Sequence, residues 1–173
     1  MKIAIISDIH DNLVNLEKCL NWCQQNKIKQ LICCGDVCNS ETLKFLSNNF
    51  SSKINLVYGN SDFYPEEENK KYKNINFLGR FGVVEIFSPP SSDYGEASKQ
   101  VGICHEPQFI DKVLEQDKCD IIFYGHTHKP WDENKNDTRV LNPGTLGGVF
   151  QKATFAVWDT ENNNFELKIL EKI

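Results

Sequence analysis

The feature that most constrains this chain is a short apolar run that ends in two histidines. Residues 120–124 have the composition of a buried strand, and Gly125-His126-Thr127-His128 follows at once. His10 and His105 likewise stand directly after apolar runs of strand character. Because the chain has only four histidines, every imidazole is predicted at the end of a strand. Polar side chains that converge at strand ends are typical of the active sites of α/β proteins.

The first sixty residues alternate between strand and helix patterns. Strands are predicted at 2–7, 30–34 and 54–58, and helices at 13–26 and 41–49. Asp11 or Asn12 is expected to cap the first helix, and Ser40 the second. This βαβαβ order predicts a parallel sheet with right-handed crossovers.

The rest of the chain predicts a second set of strands. They lie at 75–78, 83–87, 100–104, 120–124, 131–135, 139–141, 153–159 and 165–170, with a helix at 107–116. The last four strands are expected to be antiparallel, with a hairpin over 153–170. Residues 65–74 predict a loop or a short solvent-facing helix, and 88–98 a mobile loop that shapes specificity. The fold class is therefore α/β, with two sheets packed together and helices outside, in a single domain over 1–173.

Composition narrows the partners and the compartment. The net charge is −5 without a basic stripe, which argues against generic nucleic-acid binding. No apolar run is long enough to span a membrane, so no membrane partner is expected. The seven cysteines lack a CxxC pair and predict reduced, buried thiols in a cytoplasmic protein, with Cys38 close to the site. The oligomeric state stays open, a homo-oligomer included.

The polar residues at the strand ends form a candidate ligand set. It comprises Asp8, His10, Asp36, Asn60, His105, His126 and His128. Mixed oxygen and nitrogen donors suit Mn, Fe, Zn or Ni better than Mg or Ca. Seven donors exceed one tetrahedral site, but with one bridging carboxylate they suit two ions about 3.5–4 Å apart. Such a centre has a net positive charge and would bind a phosphate oxygen.

These motifs, in this order, resemble the signature of the calcineurin-like metallophosphoesterase family. They are Asp8-Ile9-His10, Gly35-Asp36, Gly59-Asn60, His105 and Gly125-His126-Thr127-His128. Asn142-Pro143-Gly144-Thr145 is also similar to a segment of the family's small YfcE-like phosphodiesterase branch. The resemblance covers nearly the whole chain and implies the family's four-layer α/β/β/α sandwich, with two mixed sheets packed face to face.

The resemblance also implies a role for each ligand. Asp8, His10 and His128 would hold one divalent ion. Asn60, His105 and His126 would hold a second, and Asp36 would bridge the two. Mn is the favoured metal, with Ni, Fe and Zn as alternatives. A hydroxide between the ions would attack phosphorus in line, with Asp36, Asn60 and His105 as the catalytic residues. Asp11 and Asn12 are weaker candidates for orienting the substrate.

Two positions depart from the family pattern. Many members carry a proton-donating histidine after Gly-Asn, where this chain has Ser61 followed by Asp62. Serine is a poor general acid near neutral pH, so good leaving groups, a metal-bound water or protonation by Asp62 would be needed. Glu106 stands where glycine is common, and its charge could repel a dianionic monoester. Both departures favour diesters.

The sequence therefore predicts a dinuclear, metal-dependent phosphodiesterase that acts on small phosphodiesters. A phosphomonoesterase on the same centre is the nearest alternative. A non-catalytic scaffold similar to the family's small retromer-subunit branch is another, although that branch has lost active-site histidines that this chain keeps. A metal-bound nucleotide sensor with weak turnover is a third.

Overall fold

The computed structural model describes residues 1–88, 97–135 and 137–173, and its strands form two mixed sheets. The helices are α1 (Leu13–Gln25), α2 (Ser40–Asn49) and α3 (Ile110–Gln116). The strands are β1 (Lys2–Ile6), β2 (Gln30–Cys33), β3 (Lys53–Leu56), β4 (Ile75–Phe77), β5 (Phe81–Ser88), β6 (Ala97–Cys104), β7 (Ile121–Phe123), β8 (Trp131–Lys135), β9 (Thr138–Asn142), β10 (Thr154–Asp159) and β11 (Asn164–Ile169).

The strand order gives each sheet a parallel centre. The six-stranded sheet has the order β11-β10-β1-β2-β3-β4, in which β1 to β4 are parallel and β10 and β11 are antiparallel additions. The five-stranded sheet has the order β5-β6-β7-β9-β8, in which β6, β7 and β9 are parallel. The carboxyl ends of parallel strands lie at one edge of a sheet, so each sheet presents its loops after these strands together.

Strand β1 shows why the layers stack as they do. Its side chains alternate between two faces, and both faces are buried. Ile3 and Ile5 belong to the core between the two sheets, together with Trp158. Ala4 and Ile6 belong to the core between the six-stranded sheet and helices α1 and α2. A third cluster packs α3 on the outer face of the five-stranded sheet. The four-layer sandwich with helices outside is thus confirmed.

The structure confirms some local expectations and corrects others. Asn12 caps α1, but Asn39 rather than Ser40 caps α2, because its side chain accepts the amides of residues 41 and 42. The helix expected over 107–116 begins as a 3-10 turn at Pro107–Phe109 before α3. In the expected 65–74 region a 3-10 helix spans Glu66–Lys71.

The second half of the chain also departs from expectation in its pairing. β5 ends at Ser88 and β6 begins at Ala97, so both ends of the expected 88–98 loop belong to strands. Residues 89–96 lie outside the described residues. β8–β9 and β10–β11 are antiparallel as expected, but β9 also pairs in parallel with β7. None of the helices in the described part of the chain is long and apolar enough to cross a membrane.

Candidate metal centre

The seven candidate ligands come together where the parallel strands of both sheets end. Asp8 and His10 follow β1, Asp36 follows β2 and Asn60 follows β3. From the other sheet, His105 follows β6, and His126 and His128 follow β7. Residues from opposite sheets contact each other here, so the centre lies where the two sheets meet at their carboxyl edges.

One group of donors surrounds the carboxylate of Asp8. Its Oδ1 lies 3.1 Å from Nε2 of His128 and 3.8 Å from Nε2 of His10. The two imidazole nitrogens are themselves 3.1 Å apart. The donor atoms of these three residues all lie within 4.8 Å of one another, which is close enough to share one ion.

A second group surrounds the carboxylate of Asp36. Its Oδ2 lies 3.4 Å from Nε2 of His105 and 3.6 Å from Nε2 of His10. Asn60 adds an amide oxygen, which lies 3.0 Å from His105 Nε2 and 2.8 Å from His126 Nδ1. Oδ2 of Asp36 therefore lies close to a histidine of each group.

Backbone carbonyls fix which nitrogen of two histidines faces the cluster. Nδ1 of His105 lies 2.7 Å from the carbonyl of Cys34, and Nδ1 of His128 lies 3.0 Å from the carbonyl of Val149. A carbonyl only accepts, so in each ring Nδ1 carries the proton and donates it. Nε2 then presents its lone pair to the centre, the arrangement that metal-ligating histidines use.

The donor set fits a cation. Asp8 Oδ1 is buried and has no hydrogen-bond partner among the described residues, although imidazole nitrogens surround it. Lone pairs on nitrogen and oxygen that face each other this closely repel, and a buried carboxylate oxygen without a partner is costly. A divalent ion between these atoms removes both costs, and the mixture of imidazole, carboxylate and amide donors suits a transition metal.

The pKa shifts of His10, Asp36 and His105 reflect the charges that these residues place on one another. The interaction with Asp8 raises the pKa of His10, with further help from the charge of Asp36 and against the effect of burial. Burial disfavours the charged form of His105, but Asp36 outweighs it and raises the pKa. Burial likewise opposes ionisation of Asp36, yet His105 lowers its pKa. The two carboxylates thus create a negative potential that attracts cations.

Backbone strain is concentrated at the same residues. Ten non-glycine residues in the described chain have positive φ. Five of the ten are candidate ligands, namely Asp8, His10, Asp36, His126 and His128, and two more are their neighbours Asp11 and Cys38. Left-handed backbone is uncommon outside glycine, and it persists where the surrounding structure enforces it. Sharp turns after each strand aim these side chains inward.

Two glycines allow the loops to approach each other this closely. A Cβ atom on Gly125 would lie 1.9 Å from Oγ of Ser7 and 2.9 Å from Oδ2 of Asp8. A Cβ atom on Gly59 would lie 2.1 Å from Oδ1 of Asp36. Gly59 and Gly125 are therefore required by the lack of space for a side chain rather than by a positive φ angle.

The segment Asn142-Pro143-Gly144-Thr145 positions ligands instead of contacting the cluster. The buried amide of Asn142 donates to the carbonyl of Gly125 at 2.7 Å and to Oγ1 of Thr127 at 3.1 Å. The hydroxyl of Thr145 donates to the carbonyl of Asp8 at 3.0 Å. The first contact orders the loop with both histidines, and the second orders the loop after β1.

Asp62 and Ser61 hold the loops that carry Asp36 and Asn60. Oδ2 of Asp62 accepts the amides of Gly59 and Asp36 at 2.7 and 3.2 Å, and Oδ1 accepts the amide of Cys38 at 2.7 Å. The Ser61 amide donates to Oδ1 of Asp36 at 2.8 Å, and its hydroxyl accepts from Asn60 Nδ2 at 3.2 Å. Burial raises the pKa of Asp62, although the amides of Gly59 and Cys38 oppose this shift.

The remaining candidates have partners away from the cluster. Asp11 accepts a hydrogen bond from the Thr42 hydroxyl at 2.6 Å. The side-chain amide of Asn12 donates to the carbonyl of Gly147 at 2.9 Å. Oε2 of Glu106 lies 3.7 Å from Arg80, and Oε1 accepts from Gln108. The charge of Glu106 is therefore compensated locally, which weakens the argument that it repels monoesters.

The structure also brings residues to the centre that sequence patterns did not single out. A cavity of about 350 Å³ opens over the cluster, and its wall includes Phe150 and Gln151. No motif or periodicity marks either residue.

Cys38, which was expected near the site, lies with Sγ 3.6 Å from His10 Nδ1. Burial raises the pKa of this thiol to about 12, so it stays protonated.

Comparisons with known proteins agree with this architecture. A model of the calcineurin-like phosphoesterase superfamily domain matches residues 1–163. Phosphodiesterase MJ0936 of Methanocaldococcus jannaschii is 27% identical over 172 residues, which cover 99% of this chain and 100% of that protein. A solved structure of an archaeal phosphodiesterase matches with a TM-score of 0.79 at 25% identity and covers 98% of this chain and 99% of its own. The E. coli phosphoesterase YfcE shares the fold, with a TM-score of 0.67 at 19% identity over 98% of this chain and 100% of its own.

Proposed function

The chain belongs to the calcineurin-like phosphoesterase superfamily, and we propose that it is a metal-dependent phosphodiesterase that hydrolyses small phosphodiesters. The observation that carries the proposal is the buried Oδ1 of Asp8, which has imidazole nitrogens around it and no hydrogen-bond partner among the described residues. Similarity to a phosphodiesterase over the full chain supports the same reaction.

We propose that the centre holds two divalent ions. Asp8, His10 and His128 would hold the first ion, and the second would be held by Asn60, His105 and His126. Asp36 would contact both ions. Bound divalent metal supplies Lewis acidity, which lowers the pKa of water and offsets charge on phosphoryl oxygens. These imidazole, carboxylate and amide donors are compatible with Mn, Ni, Fe and Zn, and Mn is the metal that we propose.

The chain's own groups then orient the reaction. Cys34 and Val149 carbonyls hold the rings of His105 and His128. Asn60, fixed by its loop, places an amide oxygen between two imidazoles at the cavity floor. Water attacks phosphorus, the bond to one ester oxygen breaks, and the alcohol leaves with a proton. These contacts fix the positions of the groups before the substrate binds. Such preorganisation is a main source of the rate enhancement in enzyme active sites.

The leaving group needs a proton, and the two candidate donors at this site are Ser61 and Asp62. The hydroxyl of Ser61 accepts a hydrogen bond from Asn60, and both carboxylate oxygens of Asp62 accept backbone amides. Neither residue is therefore placed as a strong general acid. This favours diesters with good leaving groups, as the sequence predicted.

Two other functions use the same fold. A monoesterase would need to accommodate a dianion, and the local pairing of Glu106 with Arg80 leaves that open. A scaffold similar to the small retromer subunit would not need the candidate ligands that this chain keeps.

We further propose a cytoplasmic protein, supported by seven free, buried cysteines in the described chain. Its substrate would be small rather than nucleic acid in general, and a homo-oligomer is compatible with this proposal.

Hydrolysis of bis(p-nitrophenyl) phosphate beside p-nitrophenyl phosphate tests the proposal. Protein is stripped with chelator, dialysed, and assayed with Mn or Ni added back. We expect metal-restored turnover of the diester and little of the monoester. Turnover mainly of the monoester would overturn the substrate class and keep the centre. No turnover with either metal, despite bound ions, would favour the scaffold.

The stoichiometry of bound metal tests the dinuclear centre separately. Calorimetric titration with Mn should give two sites per chain in the wild type. Replacing Asn60 with Ala should weaken one of the two sites, because its amide oxygen is shared only between His105 and His126. A single site in the wild-type protein would contradict the dinuclear proposal without touching the family assignment.

A further inference from the structure

Phe150 is an exposed aromatic residue at the rim of the centre. Its side chain is 92% exposed, and its φ angle is 61°. The ring stacks on His128, with centroids 6.1 Å apart and planes 24° apart. It lines the cavity of about 350 Å³ together with the candidate ligands His10, Asp36, Asn60, His126 and His128. An apolar ring thus borders a cavity whose wall carries five candidate ligands.

This placement costs stability in two ways. A bulky residue at positive φ is strained, and glycine or asparagine would avoid the strain. The exposed ring also leaves apolar area in water that burial would remove. A single exposed apolar residue is ordinary on a protein surface. One that is also strained and stacked on a candidate metal ligand needs a reason beyond folding.

The backbone holds Phe150 in a fixed relation to the centre. The amide of Gly147 donates to the carbonyl of Asp8 at 2.9 Å. The carbonyl of Val149 accepts from Nδ1 of His128 at 3.0 Å, and the Asn12 amide donates to the carbonyl of Gly147. Gly147 and Val149, which precede Phe150, are therefore attached to the loops that carry Asp8 and His128. The backbone at Phe150 is thus held beside the cavity, where the exposed ring is accessible to a ligand.

We propose that Phe150 is the stacking platform for a planar aromatic group on the alcohol portion of the phosphate ester bound at the centre, with the base of a nucleoside as the foremost source. The inference rests on the proposed function and narrows its substrate class to nucleotide-like phosphodiesters. Aromatic side chains stack on bases in an offset arrangement without reading their sequence. The phosphate occupies the polar floor and the base covers the ring.

The size and lining of the cavity agree with one nucleotide unit. About 350 Å³ is near the lower end of the range of small-ligand sites. The cavity wall also carries Ser61, Thr127 and Gln151, whose hydroxyl and amide groups can form hydrogen bonds with the sugar. The net charge of −5 gives no support for a long nucleic-acid track.

Binding of phosphate monoesters to Mn-loaded protein tests this inference without relying on turnover. Calorimetry compares AMP, phenyl phosphate and glycerol 3-phosphate in the wild type and in Phe150→Ala, Phe150→Trp and Phe63→Ala. Phe63 is the matched control, because it is 84% exposed and follows Asp62 but is not in the described cavity wall. Bound Mn is measured in every variant.

We expect Phe150→Ala to weaken AMP binding by about fivefold to a hundredfold, with glycerol 3-phosphate binding and Mn content unchanged. Phe150→Trp should keep AMP affinity, and Phe63→Ala should not change it. A larger loss for AMP than for phenyl phosphate identifies the nucleobase as the source, and the reverse identifies an aryl ester.

Three outcomes would overturn the inference. They are equal losses for AMP and glycerol 3-phosphate, unchanged AMP affinity in Phe150→Ala, and no measurable binding of AMP to the wild-type protein. Equal losses with reduced Mn would show that the ring only supports His128. Failure of the diester assay would leave these binding results intact, so the two proposals can fail separately.

Discussion

Replacing Asp62 with alanine should destabilise the protein through three backbone amides. The Asp62 carboxylate accepts the amides of Gly59, Cys38 and Asp36 at 2.7, 2.7 and 3.2 Å. Each amide that loses its acceptor in a poorly hydrated site costs about 1 kcal/mol or more. Burial raises the pKa of Asp62, so removing the charge also relieves part of its desolvation. The net loss in the free energy of unfolding should be about 2–3 kcal/mol.

The assay is urea unfolding of the chelated protein, followed by circular dichroism, with Asp111→Ala as the matched control. The Asp111 side chain is 75% exposed, and its ion pair with Lys135 lies at the surface. Exposed pairs of this kind contribute about 0–1 kcal/mol. Mn affinity should also fall in Asp62→Ala, since the same carboxylate joins the loops that carry Asp36 and Asn60.

The competing role for Asp62 is proton donation to the leaving group. An Asp62→Ala protein with wild-type stability and Mn affinity, but slow turnover only of diesters with poor leaving groups, would refute the positional role and establish the donor. An unfolding free energy within about 0.5 kcal/mol of the wild type would show that water replaces the lost acceptors.

The other predictions concern the ligands and their turns. Asp36→Asn should reduce diester turnover by more than about a hundredfold and keep the circular dichroism spectrum, because the side chains have the same shape; retained turnover would remove Asp36 from the mechanism. The pKa values of His10 and His105 are raised, so protons begin to compete with metal at a pH above about 6.5 and compete more strongly as the pH falls. Calorimetry should therefore show that Mn affinity falls as the pH drops. A constant affinity from pH 8 to 5.5 would contradict this. In chelated protein the same raised pKa values stabilise the fold fully below about pH 6.5, and this stabilisation is lost as the pH rises through the raised pKa values. The free energy of unfolding of chelated protein should therefore fall with rising pH, whereas Mn affinity should increase. Gly125→Ala should cost about 1–3 kcal/mol in urea unfolding, because the added Cβ would lie 1.9 Å from a side-chain oxygen; a neutral result would show that the loop shifts freely.

The central strands β1, β2 and β3 of the six-stranded sheet could be predicted because they are buried almost throughout. β1 and β2 therefore appear in the sequence as continuous apolar runs, and β3 as an apolar run interrupted by the buried Asn55. The ends of such runs are well marked by polar residues. That is why the positions of Asp8, Asp36 and Asn60 at the carboxyl ends could be predicted from single stretches of sequence.

Pairing between distant strands could not be predicted in this way. β10 lies beside β1 with Ala4 opposite Val157, and nothing local in either strand specifies that partner. The start of β6 was not predicted because Ser98 is exposed and Lys99 only partly buried, so polar residues there break the apolar pattern. Phe150 was missed for a related reason. Its importance comes from the stack on His128, a contact between loops that no periodicity encodes.

The distribution of strain gives an argument for function that does not depend on any relative. Five candidate ligands have left-handed backbone, and each such residue costs on the order of 1 kcal/mol or more. Their sum, about 5 kcal/mol, is comparable with the whole stability of a typical domain. Glycine at those positions would remove the strain, but it would also remove the imidazoles and carboxylates that surround Asp8 Oδ1. The chain keeps strained donors around a buried oxygen that has no described partner, and the cation binding that we propose for those donors would offset both costs.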